Sequence, residues 1–202
     1  MRQEQKYRSR QKILKTAAEC FREQGYSATG INELMQRSGL TNGAFYAHFS
    51  SKSELLEHAA CEAAGEMREN WVKGLEDLPP LARIDSMLAR YVGKHHRDHA
   101  ASGCTMPALG AEISRSEDAV RLAVAREVEL SLQPLVEAST ELGIDEPETL
   151  AWSLLSMCVG AITLARVVGD QAVSDRILDD SLAQSRLMVR NQIGDTTQTP
   201  EK

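Results

Sequence analysis

Residues 31–59 read INELMQRSGLTNGAFYAHFSSKSELLEHA, and the spacing of apolar residues in this stretch predicts two short helices joined by a tight turn. The first helix covers residues 31–38 and is ended by Gly39, a residue that favours the left-handed backbone of a helix terminus. Thr41 follows as the N-cap of a second short helix that continues to Phe49. Two short helices around a turn that contains glycine are typical of a helix-turn-helix, so this stretch decides the predicted fold.

The second short helix has two chemically different faces. Phe45 and Phe49 are apolar and are expected to face a small core. Leu34 and Leu40 complete that core and fix the angle of the helix. The other face carries small and hydrogen-bonding side chains, namely Thr41, Asn42, Gly43, Ala44, Tyr46, Ala47 and His48. A helix that presents its N-terminal end to the major groove of DNA needs a surface of this kind.

Base contacts are expected at the start of the second helix. Gly43 and Ala44 have little or no side chain, so they allow the helix backbone to approach a groove closely. The amide of Asn42 offers the donor and the acceptor that match adenine. This part of the helix is therefore the candidate reader of DNA sequence.

Phosphate contacts are expected around the edge of the same face. Tyr46, His48 and Lys52 are placed to reach phosphates, which fix the register of a protein on a duplex without reading its sequence. The backbone amides near Thr29 and Thr41, at the starts of short helices, are further candidate donors to anions.

The distribution of charge favours DNA as the partner, although the net charge of the chain is −6. Residues 1–56 contain nine Lys and Arg and five acidic residues, a net charge of +4. The remaining residues contain 14 basic and 24 acidic residues, a net charge of −10. A polyanion is therefore attracted to the N-terminal segment and repelled by the rest of the chain.

Helical periodicity continues through the remaining chain, and no stretch shows the alternation of a half-buried strand. The other predicted helices cover Tyr7–Gln24, a fourth helix from Ser51 or Ser53 toward Leu78, and residues 81–100, 104–114, 117–142, 146–168 and 174–193. The sequence thus predicts an all-α protein of about nine helices, with an N-terminal three-helix helix-turn-helix domain and a larger C-terminal helical domain. The expected domains are residues 1–56 and 57–193, followed by a flexible tail at 194–202.

Residues 8–57 resemble the DNA-binding domain of TetR/AcrR-family transcriptional regulators. The segments FREQGYSATG and INELMQRSGLTNGAFYAHFSSKSELL carry a Gly-Tyr turn, a Ser-Gly-Leu turn, Gly-x-Phe-Tyr-x-His-Phe and Ser-Lys-x-x-Leu in the family's order. The resemblance implies a homodimer that binds a palindromic operator, and a C-terminal domain that dimerises and binds a small effector. It assigns DNA contacts to Thr29, Thr41, Asn42, Gly43, Ala44, Tyr46, His48 and Lys52. Many relatives have Lys at the position of Asn42, so a base contact is favoured there over a phosphate contact.

Two C-terminal helices are candidates for the dimer interface. Residues 150–168 are apolar almost all round, as in a helix that is buried on two sides. In residues 174–193 an apolar stripe at helical spacing comprises Leu178, Leu182, Val189 and Ile193. Paired with their symmetry mates, the two helices form a four-helix interface, and the resemblance implies the same arrangement. The alternative is that both helices complete the core of the monomer.

An effector cavity is expected beside a kinked helix. Pro134 lies inside a predicted helix and removes a backbone hydrogen bond, which bends the helix. The candidate lining residues are Met67, Met87, Tyr91, Cys104, Met106, Trp152 and Met157. Flexible Met side chains suit an adaptable pocket, although they equally suit an ordinary hydrophobic core.

Cys104 is the candidate for redox or electrophile sensing. Residues 101–103 end one predicted helix and place Cys104 at the start of the next, where the helix dipole and solvent exposure are expected to favour the thiolate. The stretch SGCTMPALGAEISRSEDAVR is similar to the C-terminal domain of a TetR branch that senses reactive electrophiles through a cysteine. The simpler interpretation is that Cys104 is a small residue bordering the cavity. Cys20 and Cys158 lie on apolar helix faces and are expected to be unreactive.

Metal and enzyme functions are disfavoured. His95 and His99 share a helix face with Asp98 nearby, but a solvated His-rich helix end explains them, so we expect no metal site and no cofactor. The sequence contains no GxSxG, P-loop, GxGxxG or HExxH motif, so we expect no enzyme. A catalytic pair of Cys104 with a nearby His stays open on sequence alone.

A cytoplasmic location without membrane attachment is expected. No uninterrupted apolar run reaches the about 18 residues of a membrane span, and the first residues, MRQEQKYRSR, lack the apolar stretch of a signal peptide. The four cysteines are widely scattered and are typical of reduced cytosolic thiols.

Three functions stay open from the sequence. The first is a repressor that a small ligand releases from its operator. The second is the same repressor with a cysteine-based sensor for electrophiles. The third is a helical protein of this fold that senses a ligand or redox state without binding an operator.

Overall fold

Within residues 2–195, which are the residues that the structure describes, this computed structural model contains ten α-helices, one short 3₁₀ helix and no β-strand. The α-helices are α1 (Arg2–Gln24), α2 (Ile31–Arg37), α3 (Asn42–Tyr46), α4 (Lys52–Val72), α5 (Pro80–Tyr91), α6 (Lys94–Asp98), α7 (Thr105–Ile113), α8 (Asp118–Glu141), α9 (Pro147–Val167) and α10 (Gln171–Asp195). The 3₁₀ helix covers Ala100–Ser102. The predicted all-α fold, with an N-terminal helix-turn-helix and a larger C-terminal helical region, is confirmed.

One more α-helix than expected forms in this part of the chain, because the segment predicted at 81–100 divides into α5 and α6. Helix α5 ends at Tyr91, and Gly93 lies in the break. A Cβ atom at Gly93 would be 3.0 Å from the carbonyl oxygen of Ala89. The backbone is therefore tightly packed at the break, and a larger residue at this position would require the neighbouring backbone to shift.

Other helix ends also differ from the sequence-based ones; α3, for example, ends at Tyr46 and not at Phe49. Helix α1 begins earlier, at Arg2, and α4 ends earlier, at Val72. Gly74 follows α4 with a φ of +73°, so the chain turns before it reaches the two consecutive prolines. Helix α10 includes residues 194 and 195, and the rest of the predicted tail lies outside the described residues.

The described chain folds into two compact units. The first contains residues up to Met67 together with His99–Val128, and the second contains Arg68–Asp98 together with residues from Glu129 onward. The expected boundary between residues 56 and 57 lies inside the continuous helix α4. Helix α7 and the first half of α8 belong with the N-terminal helices, so the first unit is not contiguous in sequence.

The first unit has its own hydrophobic core. Its large buried side chains include Ile13, Leu14, Phe21, Leu34, Met35, Phe45, Phe49, Leu55, Leu56, Leu109 and Ile113. Gly25 and Gly39 end α1 and α2 with φ angles of +89° and +63°, which glycine adopts without strain. Ser51 caps α4, because the backbone N–H of Glu54 donates to the Ser51 hydroxyl at 3.0 Å. These local features fix the directions of α2, α3 and α4.

In the second unit α9 and α10 contact each other. Leu178 and Val189 are buried there, so part of the stripe expected at a dimer interface belongs to the protomer's own core. The exposed apolar side chains of these helices include Trp152 and Val167, the latter 77% exposed. Pro134 lies inside α8, as the sequence predicts.

Helix α9 is the one helix in residues 2–195 that is long and apolar enough, by composition, to cross a membrane. Hydroxyl side chains at Ser153, Ser156 and Thr163 interrupt its apolar run, which is why the sequence alone gave no span. Its buried residues include Leu154 and Ile162. A core helix of a globular protein has the same composition, and α9 packs on α10 in this way.

Candidate functional site

The predicted DNA-reading helix exposes one face and buries the other. Phe45 is fully buried in the core of the first unit, whereas the neighbouring Tyr46 is 68% exposed. The two rings meet edge to face with their centroids 5.0 Å apart. Thr41, Asn42 and Gly43 are exposed at the N-terminal end of α3. The helix is short because the turn that follows Tyr46 brings Phe49 back into the core.

Asn42 is held in place by α2. Its Nδ2 donates a hydrogen bond of 2.7 Å to Oδ1 of Asn32. The amide nitrogen of Asn42 carries two hydrogens, and the bond to Asn32 uses one of them. The second hydrogen and Oδ1 of Asn42 are the donor and the acceptor that recognition of adenine requires. The contact therefore orients the Asn42 amide and leaves it the chemistry for reading a base.

His48 links the end of the helix-turn-helix to α1. Its Nε2 lies 2.7 Å from the hydroxyl oxygen of Ser9. Burial lowers the pKa of His48, and the positive charges of Lys6 and Arg10 lower it further. A lowered pKa favours the neutral imidazole, which suits a hydrogen bond at this surface.

Lys52 is already engaged within the protein. Its Nζ donates a hydrogen bond to the carbonyl oxygen of Tyr26 and lies 4.3 Å from the centroid of the Tyr26 ring. Burial lowers the pKa of Lys52. An ammonium group has three hydrogens, so this contact fixes the group beside the turn between α1 and α2 without exhausting its donors.

Thr29 is not part of the exposed surface. It is only 1% exposed, and its hydroxyl donates to the carbonyl oxygen of Gly25 at 2.8 Å. Its backbone N–H points to the same carbonyl, at 3.3 Å. Because both donors stabilise the α1–α2 turn, the expected anion contact at Thr29 has no free donor in this structure. Ala44 is half-buried. Thr41, Asn42, Gly43 and Tyr46 are exposed on α3 or at its N-cap, whereas His48 and Lys52 follow the helix and are partly buried.

Cys104 is the N-cap of α7, as the sequence predicts, but it is not exposed. Its backbone is extended, and 8% of the residue is accessible to solvent. The expectation of an exposed thiol is therefore wrong, because the 3₁₀ segment before it packs against α1. The guanidinium of Arg22 donates hydrogen bonds to the carbonyl oxygen of Ala101, with Nε at 2.6 Å.

Arg22 is a candidate site residue that sequence reasoning missed. It is buried, and burial lowers the pKa of its guanidinium, while the nearby acidic groups of Glu66, Glu19 and Cys104 act in the opposite direction. Arg22 is therefore a positive neighbour of Cys104. No sequence pattern marks Arg22, because the partner of its guanidinium, the Ala101 carbonyl, is 79 positions away in the chain.

The other three cysteines have environments that keep the thiol protonated. Burial raises the pKa of Cys20. It raises the pKa of Cys61, which is half-buried in α4, to about 11, and that of Cys158 to about 12. A protonated thiol is a weak nucleophile, so these groups have low intrinsic reactivity.

The residues predicted to line an effector cavity are divided between the two units. Met67, Cys104 and Met106 belong to the first unit, and Met87, Tyr91, Trp152 and Met157 belong to the second. Met87 and Pro134 line a cleft of about 170 Å³ in the second unit. Trp152 is exposed on α9 and does not line it.

A larger cleft, which the sequence did not predict, lies between α5 and α10. Its volume is about 550 Å³, and Leu81, Ile84 and Val189 line it. Arg186 and Asp85, which also line this cleft, form a bidentate ion pair with N–O distances of 2.5 and 3.0 Å. In the described part of the chain, no three His, Cys, Asp or Glu residues converge as metal ligands.

Comparisons with known proteins agree with this geometry. Residues 13–59 match the family described as "Bacterial regulatory proteins, tetR family", and residues 80–180 match "Tetracyclin repressor-like, C-terminal domain". The HTH-type transcriptional repressor DhaR of Mycobacterium sp. (strain GP1) is 24% identical over 178 residues, which cover 84% of this chain and 88% of DhaR. The uncharacterized HTH-type transcriptional regulator YerO of Bacillus subtilis is 40% identical over 68 residues, 34% of this chain and 23% of YerO. This chain therefore spans about a quarter of the length of YerO.

Solved structures show the same fold. E. coli NemR in its reduced form has a TM-score of 0.75 and 19% identity, over 89% of this chain and 96% of NemR. A TetR-family regulator from Cytophaga hutchinsonii has a TM-score of 0.78 and 19% identity, over 93% of this chain and 96% of that protein. Two matching family regions in the correct order, a shared fold and a helix-turn-helix with an exposed reading face lead to one assignment. The chain belongs to the TetR family of transcriptional regulators.

Proposed function

We propose that this protein is a cytoplasmic repressor that binds a palindromic operator as a homodimer. We further propose that a small effector, or chemical modification of Cys104, releases it from DNA. The observation that carries the proposal is the position of α3, whose Phe45 is buried while Asn42, Gly43 and Tyr46 are exposed. A helix anchored on one side by an aromatic side chain presents its other side rigidly, as reading a groove requires.

Operator contacts divide between reading and positioning. Asn42 is proposed to pair with a base, since its amide is oriented by Asn32. Gly43 lets the helix backbone approach the groove. Tyr46 and Lys52 are proposed to contact phosphates, which position the helix on the duplex.

A homodimer explains the apolar surface of α9. Trp152, Leu164 and Val167 are exposed on this helix, and a second copy of the chain packed on α9 would bury such apolar side chains. A two-fold dimer also supplies two copies of α3 for the two halves of a palindrome. The name of the relative DhaR, a transcriptional repressor, supports repression as the outcome.

Release through Cys104 is supported by its surroundings. The thiol lies at the start of α7, where the helix dipole favours a thiolate, and the proposed positive neighbour is Arg22, which donates to the carbonyl oxygen of Ala101 in the preceding segment. Adding bulk or an oxidised group at a position that is only 8% exposed displaces neighbouring side chains. The displaced segment packs on α1, so the modification acts directly on the DNA-binding unit.

A gel-shift assay with DNA from upstream of the protein's own coding sequence tests the proposal. We expect a shifted complex with this DNA and none with a scrambled duplex of equal length. A thiol-reactive electrophile should dissociate the complex. Cys104→Ser should bind the DNA but resist the electrophile. A folded protein that shifts neither duplex would contradict operator binding, and a Cys104→Ser protein released as readily as the parent would contradict the sensor.

A further inference from the structure

Glu112, in the last turn of α7, forms hydrogen bonds to the turn between α1 and α2. One carboxylate oxygen, Oε2, accepts a hydrogen bond from the backbone N–H of Tyr26 at 2.9 Å. The other oxygen, Oε1, accepts one from the backbone N–H of Ser27 at 2.8 Å. Each oxygen thus holds one amide, and such charge-assisted pairs are stronger and more directional than neutral hydrogen bonds.

The shape of the turn matches this carboxylate. Gly25 has a φ of +89°, and a Cβ atom built on it would lie 3.2 Å from Oε2 of Glu112. Glycine therefore gives the carboxylate close access to the two amides that follow. Burial tends to raise the pKa of Glu112, but the hydrogen bonds from Ser27 and Tyr26 outweigh it, so the pKa is lowered and the group is charged at neutral pH.

The same turn is also held by Lys52, the first residue of α4, which follows the reading helix in the chain. Lys52 donates to the carbonyl oxygen of Tyr26, whose N–H is bound by Glu112. Both polar groups of one residue's backbone are therefore fixed by side chains from α4 and α7. Because α2 begins at Ile31, shortly after this turn, the restraint acts at the entry to the helix-turn-helix.

The opposite end of α7 is also fastened to α1. Arg22 donates to the carbonyl oxygen of Ala101, in the 3₁₀ segment that leads into Cys104. The helix between the two attachments has nine residues, a length of about 14 Å. One rigid element thus joins the proposed sensor at its start to the entry of the helix-turn-helix at its end.

We propose that Glu112 is a positioning residue for operator binding, and that it passes movements of α7 to the α1–α2 turn. This proposal rests on the proposed operator binding. Glu112 itself touches no DNA in this mechanism. Its carboxylate fixes the turn from which α2 and α3 follow, and thereby the position of α3. It therefore affects how the two α3 helices of the dimer fit one operator, and it does not change the residues that α3 exposes.

The test compares Glu112→Gln with Glu117→Gln in the full-length protein. Glutamine keeps the size of the side chain, but its NH₂ group cannot accept the second amide hydrogen. The negative charge of Glu117 helps to raise the pKa of Tyr26, so the control removes the same charge from the same neighbourhood. The probes are the duplex that the parent selects from a randomised library and a scrambled duplex of equal length.

Three measurements separate the possible outcomes. We expect Glu112→Gln to bind the selected duplex at least about tenfold more weakly, a loss of about 1.4 kcal/mol, with binding to the scrambled duplex unchanged. Amide hydrogen exchange should accelerate in the peptide covering residues 25–30 in Glu112→Gln but not in Glu117→Gln. The thermal unfolding midpoint should show that both variants remain folded.

Other results would overturn the inference. If both variants lose operator affinity equally, the loss is due to the removed negative charge and not to the hydrogen bonds of Glu112 with the turn. If Glu112→Gln binds like the parent, or exchange at residues 25–30 is unchanged, Glu112 positions nothing. A parent that selects no duplex would contradict the proposed function, while the exchange experiment would still decide whether Glu112 holds the turn.

Discussion

The guanidinium of Arg22 donates hydrogen bonds from Nε and a terminal nitrogen to the carbonyl oxygen of Ala101. The two residues are 79 positions apart in sequence. Through this contact α1, which carries much of the basic charge, holds the segment that precedes Cys104. The relationship places the proposed sensor within the DNA-binding unit and leads to the first prediction.

Replacing Arg22 with Gln should make Cys104 less nucleophilic at neutral pH, because the thiolate loses its buried positive neighbour. Alkylation of Cys104 by iodoacetamide, followed by peptide mass spectrometry across a pH series, measures this. We expect the half-maximal rate to move to higher pH. Arg37→Gln is the control, since Arg37 is exposed and pairs with Glu23 at 3.0 Å. An unchanged pH profile in Arg22→Gln would show that Arg22 does not activate the thiol.

Asn42 and Lys52 should fail in different ways. Asn42→Ala is expected to lose about 1–3 kcal/mol of discrimination at one base pair in each half-site. Lys52→Ala is expected to weaken binding to all sequences alike, since its proposed DNA contact is to phosphate and its contact within the protein is to the Tyr26 carbonyl. Affinities for a panel of single-base variants of the operator separate the two effects. An Asn42→Ala protein with an unchanged sequence preference means that Asn42 reads no base.

Phe45 and Tyr46 are adjacent residues with opposite expected roles. Phe45→Ala should lower the free energy of unfolding of the first unit by about 3–5 kcal/mol, because the side chain is fully buried. Tyr46→Ala should lower it by less than about 1 kcal/mol, since the ring is largely exposed, but should weaken operator binding. Urea titration and DNA binding of both variants test this. If Tyr46→Ala destabilises the fold as much as Phe45→Ala does, the roles given to these two residues are wrong.

Asp175 should make the stability of the second unit depend on pH in the acid range. Lys94 donates to it at 2.6 Å and Arg97 at 2.5 Å, and these hydrogen bonds hold the pKa of the carboxyl well below its usual range. Because the pKa of Asp175 is lower in the folded state than in the unfolded chain, its ionised form stabilises the fold. This contribution is complete at a pH above the unfolded pKa of about 4, and it is lost as the pH falls toward the folded pKa. Urea titrations between neutral and acid pH should show a smaller acid-induced loss in Asp175→Asn than in the parent. An identical pH dependence in both proteins would rule out this ion pair as a source of stability.

The helix-turn-helix could be predicted from sequence because its determinants are local. Gly39 ends α2, Thr41 begins α3, and Phe45 and Phe49 face the core at helical spacing. The TetR-family assignment and the all-α fold follow from the same local pattern and are confirmed.

The environment of the candidate site could not be predicted, because it depends on contacts between distant residues. Glu112 and Tyr26 are 86 positions apart, and Lys52 and Tyr26 are 26 apart. Neither spacing leaves a periodic signal in the sequence. Cys104 follows a Ser-Gly pair that suggests exposure, yet the segment before it is packed on α1, so burial is decided by tertiary structure.

The central claim is that α3 reads a specific DNA sequence, and the ratio of two dissociation constants tests it most directly. Fluorescence anisotropy of the parent protein, at one fixed salt concentration, gives the affinity for its selected duplex and for a scrambled duplex. We expect the selected duplex to bind at least about a thousandfold more tightly, with Asn42→Ala reducing that ratio. Equal affinities for the two duplexes, in a protein shown to be folded, would contradict the account.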